Sequence, residues 1–361
     1  MVAEVHHCST QEIFQKLPIL DLALFDDPET RQQFLKELQS LARNIGFFYL
    51  KGHGISKDRI AEIEDLSRRF FALEQAQKDA ISMHNSPHFR GYTPLNEELT
   101  RNKPDLREQI DIGAELEPVH FDQDTPFWLK LQGPNQWPEG WAEFKRITTT
   151  WQNDLREISI KLLHAFMLAL ELPEDALDQF VTGLPNELLK LIHYPPRQFH
   201  NHNQQGVGAH KDSGILTLLL QDKVGGLQVL GKQGWIDMPY VEDSFIINIG
   251  EILELATNGY LVANIHQVLS PSENLDRYSV AYFITPNLYA GDIPVLELPK
   301  KLQALATGPE SDPLNPLLKN VGENSIKSRL RSHLAVTKKF YPEQYAEIIT
   351  QQKQEIGLQN D

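Results

Sequence analysis

His210 and Asp212, in the stretch Gly208-Ala209-His210-Lys211-Asp212-Ser213, offer two metal ligands separated by a single residue. Alternate residues of a strand point the same way, so both can reach one ion while Lys211 points elsewhere. A third ligand is offered by His266, set in the mostly apolar, β-branched run 261–269. Two imidazoles and one carboxylate on one side of an ion leave three positions open, the arrangement of non-haem Fe(II) sites. The competing reading of His210 is a hydrogen-bonded histidine near a turn. The next element weighs against it. Arg277 and Ser279, in Asp276-Arg277-Tyr278-Ser279-Val280-Ala281-Tyr282-Phe283, share a strand face by the same period of two. Packing alone gives no reason for an inward Arg, whereas a guanidinium fork beside a hydroxyl makes a carboxylate receptor.

The order H-x-D, downstream His, R-x-S resembles the iron(II)/2-oxoglutarate-dependent oxygenases of the isopenicillin N synthase-like superfamily. His193-Tyr194-Pro195-Pro196 is similar to the Tyr-Pro segment that opens that family's catalytic barrel. Pro18 to Leu22 and Gly46 to Ile55 are similar to its N-terminal region, so the likeness covers roughly residues 17–290. The resemblance implies Fe(II) held by His210, Asp212 and His266, and 2-oxoglutarate as cosubstrate with its distal carboxylate on Arg277 and Ser279 and Tyr194 assisting. With O2, the cosubstrate would go to succinate and CO2 while a small organic molecule is hydroxylated, desaturated or cyclised. Related halogenases lack the carboxylate that Asp212 supplies, so halogenation is disfavoured. Two further readings stay open: an oxo-acid-free oxidase like isopenicillin N synthase, whose Arg-Ser pair holds the substrate carboxylate, and a non-catalytic 2-oxoglutarate-binding scaffold. A zinc hydrolase is disfavoured, because zinc prefers a closed four-ligand site or a hydrolytic water, and the His200/His202 loop has no cysteine.

Composition sets bounds on the same picture. With 361 residues of which 41% are hydrophobic, the chain can bury a sizeable core. A formal charge of −15 argues against nucleic acid or an anionic membrane as partner. The single cysteine, Cys8, has no partner for a disulfide, the N-terminus shows no apolar signal core, and no run is apolar enough for a membrane span. The expectation is a cytoplasmic enzyme, monomeric or weakly homo-oligomeric, acting on a small molecule.

The elements that must position these residues read as two textures. Three- and four-residue spacings predict helices over 29–44, 57–76 and 140–172, the last carrying Phe144, Ile147, Trp151, Leu155 and Leu162 on one stripe. After Pro185, short apolar runs separated by Gly, Asp, Asn and Pro predict strands over 188–194, 215–221, 227–230, 235–237, 244–249, 261–269 and 277–284. The fold class is α+β: a double-stranded β-helix (jelly-roll) core flanked by helices, with a mainly helical N-terminal region and a C-terminal helix. The divisions are 1–184, an N-terminal region with the bracing helix; 185–290, the oxygenase barrel; and 291–361, an extension ending in a capping helix. Substrate contacts are expected from Arg90 and Tyr92, in the polar segment that also holds Asn96 and Arg107, and from Phe283, four residues after Ser279.

Overall fold

The computed structural model describes residues 18–197, 205–310 and 316–358. Cys8, His200 and His202 lie outside the described residues. The strands, in chain order, are β1 (Ile19–Asp21), β2 (Phe47–Lys51), β3 (Gly91–Thr93), β4 (Leu99–Thr100), β5 (Lys103–Pro104), β6 (Glu108–Gly113), β7 (Asn186–Tyr194), β8 (Gln205–His210), β9 (Leu216–Gln221), β10 (Leu227–Gly231), β11 (Gly234–Asp237), β12 (Phe245–Ile249), β13 (His266–Leu269) and β14 (Arg277–Thr285). They form an eight-stranded sheet, β1-β2-β12-β9-β14-β7-β6-β3, a four-stranded sheet, β11-β10-β13-β8, and the small β4–β5 hairpin.

Period-two alternation sends one face of the large sheet to the helices and the other to the small sheet. Ile192 and Tyr194 of β7, Phe47 and Tyr49 of β2, Ile246 of β12 and Ala281 of β14 meet Val207, Leu227, Val229 and Val268 of the small sheet in one buried cluster. Their strand neighbours Leu189, Leu191, Phe48, Leu50, Ile247, Val280 and Tyr282 join the larger core under the helices. This is a jelly roll whose interior lies between the two sheets.

The long helix α4 (Ala142–Ala169) braces the large sheet with Phe144, Trp151, Leu155 and Leu162, after α1 (Arg31–Asn44), α2 (Lys57–Phe71) and α3 (Gln75–Asp79). Later come α5 (Glu251–Ala256) and the C-terminal α6 (Val321–Ser332), α7 (Leu334–Phe340) and α8 (Pro342–Leu358). The helix expected over 57–76 breaks at Phe71, because Glu74 and Gln77 form a capping box that starts a separate helix. The strand expected over 261–269 shrinks to His266–Leu269. Residues before it satisfy their polar groups elsewhere: Val262 N–H donates to Ala42 O and the Asn264 side-chain amide to Ile45 O. The polar segment around Arg90 and Arg107 contains β3 and β6, which extend the large sheet, so N-terminal strands and barrel strands share one hydrogen-bonded sheet.

Candidate metal and cosubstrate site

His210 closes β8 and His266 opens β13, and the two are direct partners across that strand pair. Asp212 is not on the strand face expected from H-x-D: β8 ends at His210 and Asp212 sits in the loop to β9. That loop is fixed by backbone contact. Glu251 N–H donates to Asp212 O, and a Cβ on Gly250 would lie 2.1 Å from Gly214 O, so only glycine permits this approach.

The ligand atoms of the three side chains converge within 4.8 Å of one another. Nε2 of His210 is 3.3 Å and Nε2 of His266 3.7 Å from Asp212 Oδ1. Each Nδ1 faces a backbone carbonyl, Gly208 O at 2.8 Å and Asn264 O at 3.3 Å, which selects the tautomer with Nε2 free to ligate. Asp212 Oδ2 accepts from the Thr217 hydroxyl and from Asn248 Nδ2 at 2.8 Å, leaving Oδ1 turned to the imidazoles. Burial pushes the Asp212 carboxyl up, yet the adjoining His266 and His210 imidazoles and the Thr217 hydroxyl favour the carboxylate and hold it below the ordinary range. Burial and the neighbouring His210 pull the His266 imidazole down to about 4, which favours the neutral form that metal ligation requires.

The sequence signals Thr217 and Asn248 only as polar residues that interrupt apolar strands. Thr217→Val keeps the shape and removes the hydroxyl donor. A 10–100-fold loss of Fe(II) affinity with unchanged melting temperature is expected, measured by anaerobic metal titration.

Arg277, Ser279 and Tyr194 lie on the large sheet, facing the same interior. Arg277 pairs in register with Tyr194, and its guanidinium stacks 4.6 Å from the Tyr194 ring centroid. Its Nε donates to Gly225 O and its Nη1 lies 3.3 Å from Ser279 Oγ, while Nη2 is buried without a partner. Among the described residues no carboxylate pairs with this guanidinium, which is only 1% exposed. A buried cation lacking a counter-charge is costly, so the arrangement suits an anionic group.

Phe283 shares the face of Ser279 and Ala281 and packs at the edge of the inter-sheet cluster, opposite Thr217 in register. Tyr92 does not face this interior. It belongs to the core under the helices, and its hydroxyl donates to Glu108 Oε2. Arg90 is buried beside Gly113 at the edge formed by β3 and β6.

A buried ion network shares the interior. Lys190, on the face of Ile192 and Tyr194, contacts Glu98 at 2.9 Å, and Arg107 contacts Glu98 at 2.7 Å and Asp105 at 3.2 Å. Asp111, opposite Lys190, pairs with Arg329 of α6 at 2.7 Å. Burial pushes the Glu98 carboxyl up, but Arg107 and Lys190 hold it well below its ordinary range. Burial pulls the adjacent His333 imidazole down to about 4, against the opposing charge of Glu98. The unfolded chain therefore takes up a proton at His333 that the folded chain refuses, and stability falls as pH drops below about 6.5 until the loss is complete near 4. The full effect is about 3 kcal/mol. Melting temperatures of the metal-free protein should decline over that window, and His333→Gln should make the decline shallower, with His266, pulled down in the same way, accounting for part of what is left.

A jelly roll that turns two imidazoles, one carboxylate and an unpaired guanidinium into one interior defines the class of mononuclear non-haem oxygenases. Comparison with known proteins agrees. Residues 17–140 match the family described as non-haem dioxygenase in morphine synthesis, N-terminal, and residues 185–286 match the 2OG-Fe(II) oxygenase superfamily. The chain is 32% identical over 352 residues to the 2-oxoglutarate-dependent dioxygenase frbJ of Dothideomycetidae sp. (strain 11243), covering 93% of this chain and 94% of that one. It is 33% identical over 291 residues to homoarginine-6-hydroxylase 2-ODD-C23.1 of Arabidopsis thaliana, covering 77% and 86%. Among solved structures, full-length Neurospora crassa T7H in complex with alpha-KG and 5-formyluracil superposes with a TM-score of 0.70 at 26% identity, covering 87% of this chain and 96% of that one. The chain belongs to the 2-oxoglutarate- and Fe(II)-dependent oxygenase superfamily. It is an oxidoreductase, a dioxygenase that uses Fe(II), 2-oxoglutarate and O2 to oxidise a small molecule. Among the described residues, no helix is long and apolar enough to cross a membrane.

Proposed function

We propose that His210, Asp212 and His266 hold the Fe(II), and that Arg277 and Ser279, with Tyr194 stacked beneath the guanidinium, receive the distal carboxylate of 2-oxoglutarate. The observation that carries this reading is Arg277: a buried guanidinium with an unpartnered Nη2 on the interior that also receives the triad. Fe(II), when bound, supplies O2 activation coupled to oxidation of the 2-oxo acid to succinate and CO2. The chain's own part is placement. The two carbonyl-anchored imidazoles and the Asp212 carboxylate would hold the ion, while Thr217 and Asn248 keep Asp212 from rotating. The inter-sheet apolar cluster excludes water, and Phe283 lines the pocket. One negative charge from Asp212, two from the cosubstrate and the positive charges of the ion and Arg277 cancel, so the loaded site is neutral within the barrel.

A groove of about 350 Å³ lined by Thr100, Val207, Gly208 and Ala209 runs beside the strand that ends in His210, a size suited to a small organic molecule. The N-terminal strands, barrel and C-terminal helices act as one unit, and the enzyme works in the cytoplasm as a monomer or weak homo-oligomer. The oxo-acid-free oxidase and the scaffold are not favoured, because the named relatives are 2-oxoglutarate-dependent enzymes.

The test is anaerobic titration of the Fe(II)-loaded protein with 2-oxoglutarate. A weak visible charge-transfer band should grow to saturation. Protein that holds Fe(II) but shows no band would turn the reading to the oxo-acid-free oxidase, and protein that fails to bind Fe(II) would overturn it altogether.

A further inference from the structure

The strand that delivers His210 is irregular where it approaches the metal site. β8 ends the small sheet, with β13 as its neighbour. His266 faces His210 and Val268 faces Val207, so two steps along β13 match three along β8. The extra residue makes a β-bulge over Gly208-Ala209, a device that re-aims the side chain beside it, here His210. A bulge takes backbone groups out of the ladder, and those of Gly208 are satisfied by side chains. Its carbonyl faces His210 Nδ1 at 2.8 Å, and its N–H donates to Asp105 Oδ1 at 3.2 Å.

Asp105 is fully buried and holds more than this one group. Its Oδ1 also accepts from Gln205 Nε2 at 2.9 Å, and its Oδ2 accepts from the Thr100 hydroxyl at 2.8 Å and lies 3.2 Å from Arg107 Nη2. Four donors on two oxygens suit a carboxylate, which carries no hydrogen of its own to oppose them. Gly208 and Gln205 belong to the strand of His210, whereas Thr100 belongs to the β4–β5 hairpin on the other side of the groove of about 350 Å³. The two sides are in close contact at Gly208, where a Cβ would lie 2.9 Å from Thr100 Cγ2. Glu98, in the same ion network, holds Arg107 and Lys190 instead of β8.

We propose that Asp105 is a positioning residue of the metal site: through Gly208 it fixes the bulge that aims His210, and through Thr100 it ties that strand to the facing side of the groove. This rests on His210 being a metal ligand, as proposed above.

The test uses the full chain and the variant Asp105→Asn, which keeps the volume but only one accepting oxygen. The charge-assisted bond to Arg107 claims that oxygen, so the amide NH2 turns toward Gly208 N–H and the tie opens. Glu98→Gln is the comparison, since it removes a charge from the same network and leaves the contacts to β8 in place. Hydrogen exchange of the Gly208 amide is measured in metal-free protein, and Fe(II) affinity by anaerobic titration. Relative to Glu98→Gln, Asp105→Asn should exchange Gly208 faster and bind Fe(II) more weakly, each by about 10-fold or more. An Asp105 that only stabilises the fold would lower the melting temperature with exchange and affinity matching Glu98→Gln, which overturns the proposal. A change in only one of the two readouts overturns it as well, because the tie would then not reach the metal. In the parent protein the Gly208 amide should already be protected, although β8 is an edge strand; exchange at the free-peptide rate overturns the proposal without any variant. Parent protein that binds no Fe(II), or binds it no better than His210→Ala, overturns the underlying metal-site reading instead, while Gly208 exchange still reports on the tie.

Discussion

Asp212→Ala should lose at least about 100-fold in Fe(II) affinity and nearly all turnover, since even partners that merely orient a ligand are worth 10–100-fold. Two effects add here. The variant removes the only carboxylate among the three converging groups, and with it the negative charge that favours a dication between two imidazoles. It also frees Thr217 and Asn248, whose hydrogen bonds end on Asp212 Oδ2, leaving buried donors unsatisfied. Asp212→Asn separates the contributions: it keeps the volume, and one amide oxygen can still face the ion, but the charge is gone. Metal titration and succinate formation measured together are the check. Full Fe(II) affinity in the alanine variant would remove Asp212 from the site.

Arg277→Ala is expected to raise the 2-oxoglutarate requirement at least about 100-fold, the equivalent of two charge-assisted hydrogen bonds at about 1.5 kcal/mol or more each. Iron binding should stay near the parent value, because Arg277 is on the large sheet and both histidines are on the small one. Arg277→Lys should recover only part of the affinity, since an ammonium keeps the charge and loses the fork. Measuring the 2-oxoglutarate dependence of the charge-transfer band in each variant keeps chemistry out of the comparison. An unchanged dependence would remove Arg277 from the cosubstrate site and assign it to a substrate carboxylate.

Some of this site was legible because it depends on spacing along one strand. Arg277 and Ser279 needed only the period of two, and the strand over 277–284 lies at Arg277–Thr285. H-x-D was legible as a motif but not as geometry. The two residues do not share a strand face; Asp212 is aimed from a loop by Thr217 of β9 and Asn248 of β12 and by the close approach of Gly250. Hydrogen bonds that join residues 36 positions apart leave no local signature. Tyr92 shows the opposite failure. Its neighbourhood reads as polar loop, yet β3 pairs with β6 and alternation then turns the ring toward the helices.

The sequence by itself determined the class of chemistry, because residue types fix what can ligate, titrate or pair: two imidazoles, carboxylates, a guanidinium and a hydroxyl in a recognisable order. It also determined the alternation of apolar strands that makes a two-sheet core. Only the tertiary structure decided which charges are left uncompensated. Arg107 and Arg90 belong to one polar stretch of chain, yet Arg107 meets Glu98 and Asp105 in ion pairs while Arg90 donates to a backbone carbonyl, with Arg329 opposing and Asp111 and Glu187 favouring its charge. Whether a buried cation has a partner depends on which distant strand or helix folds against it, and the energy at stake depends on the water that folding removes.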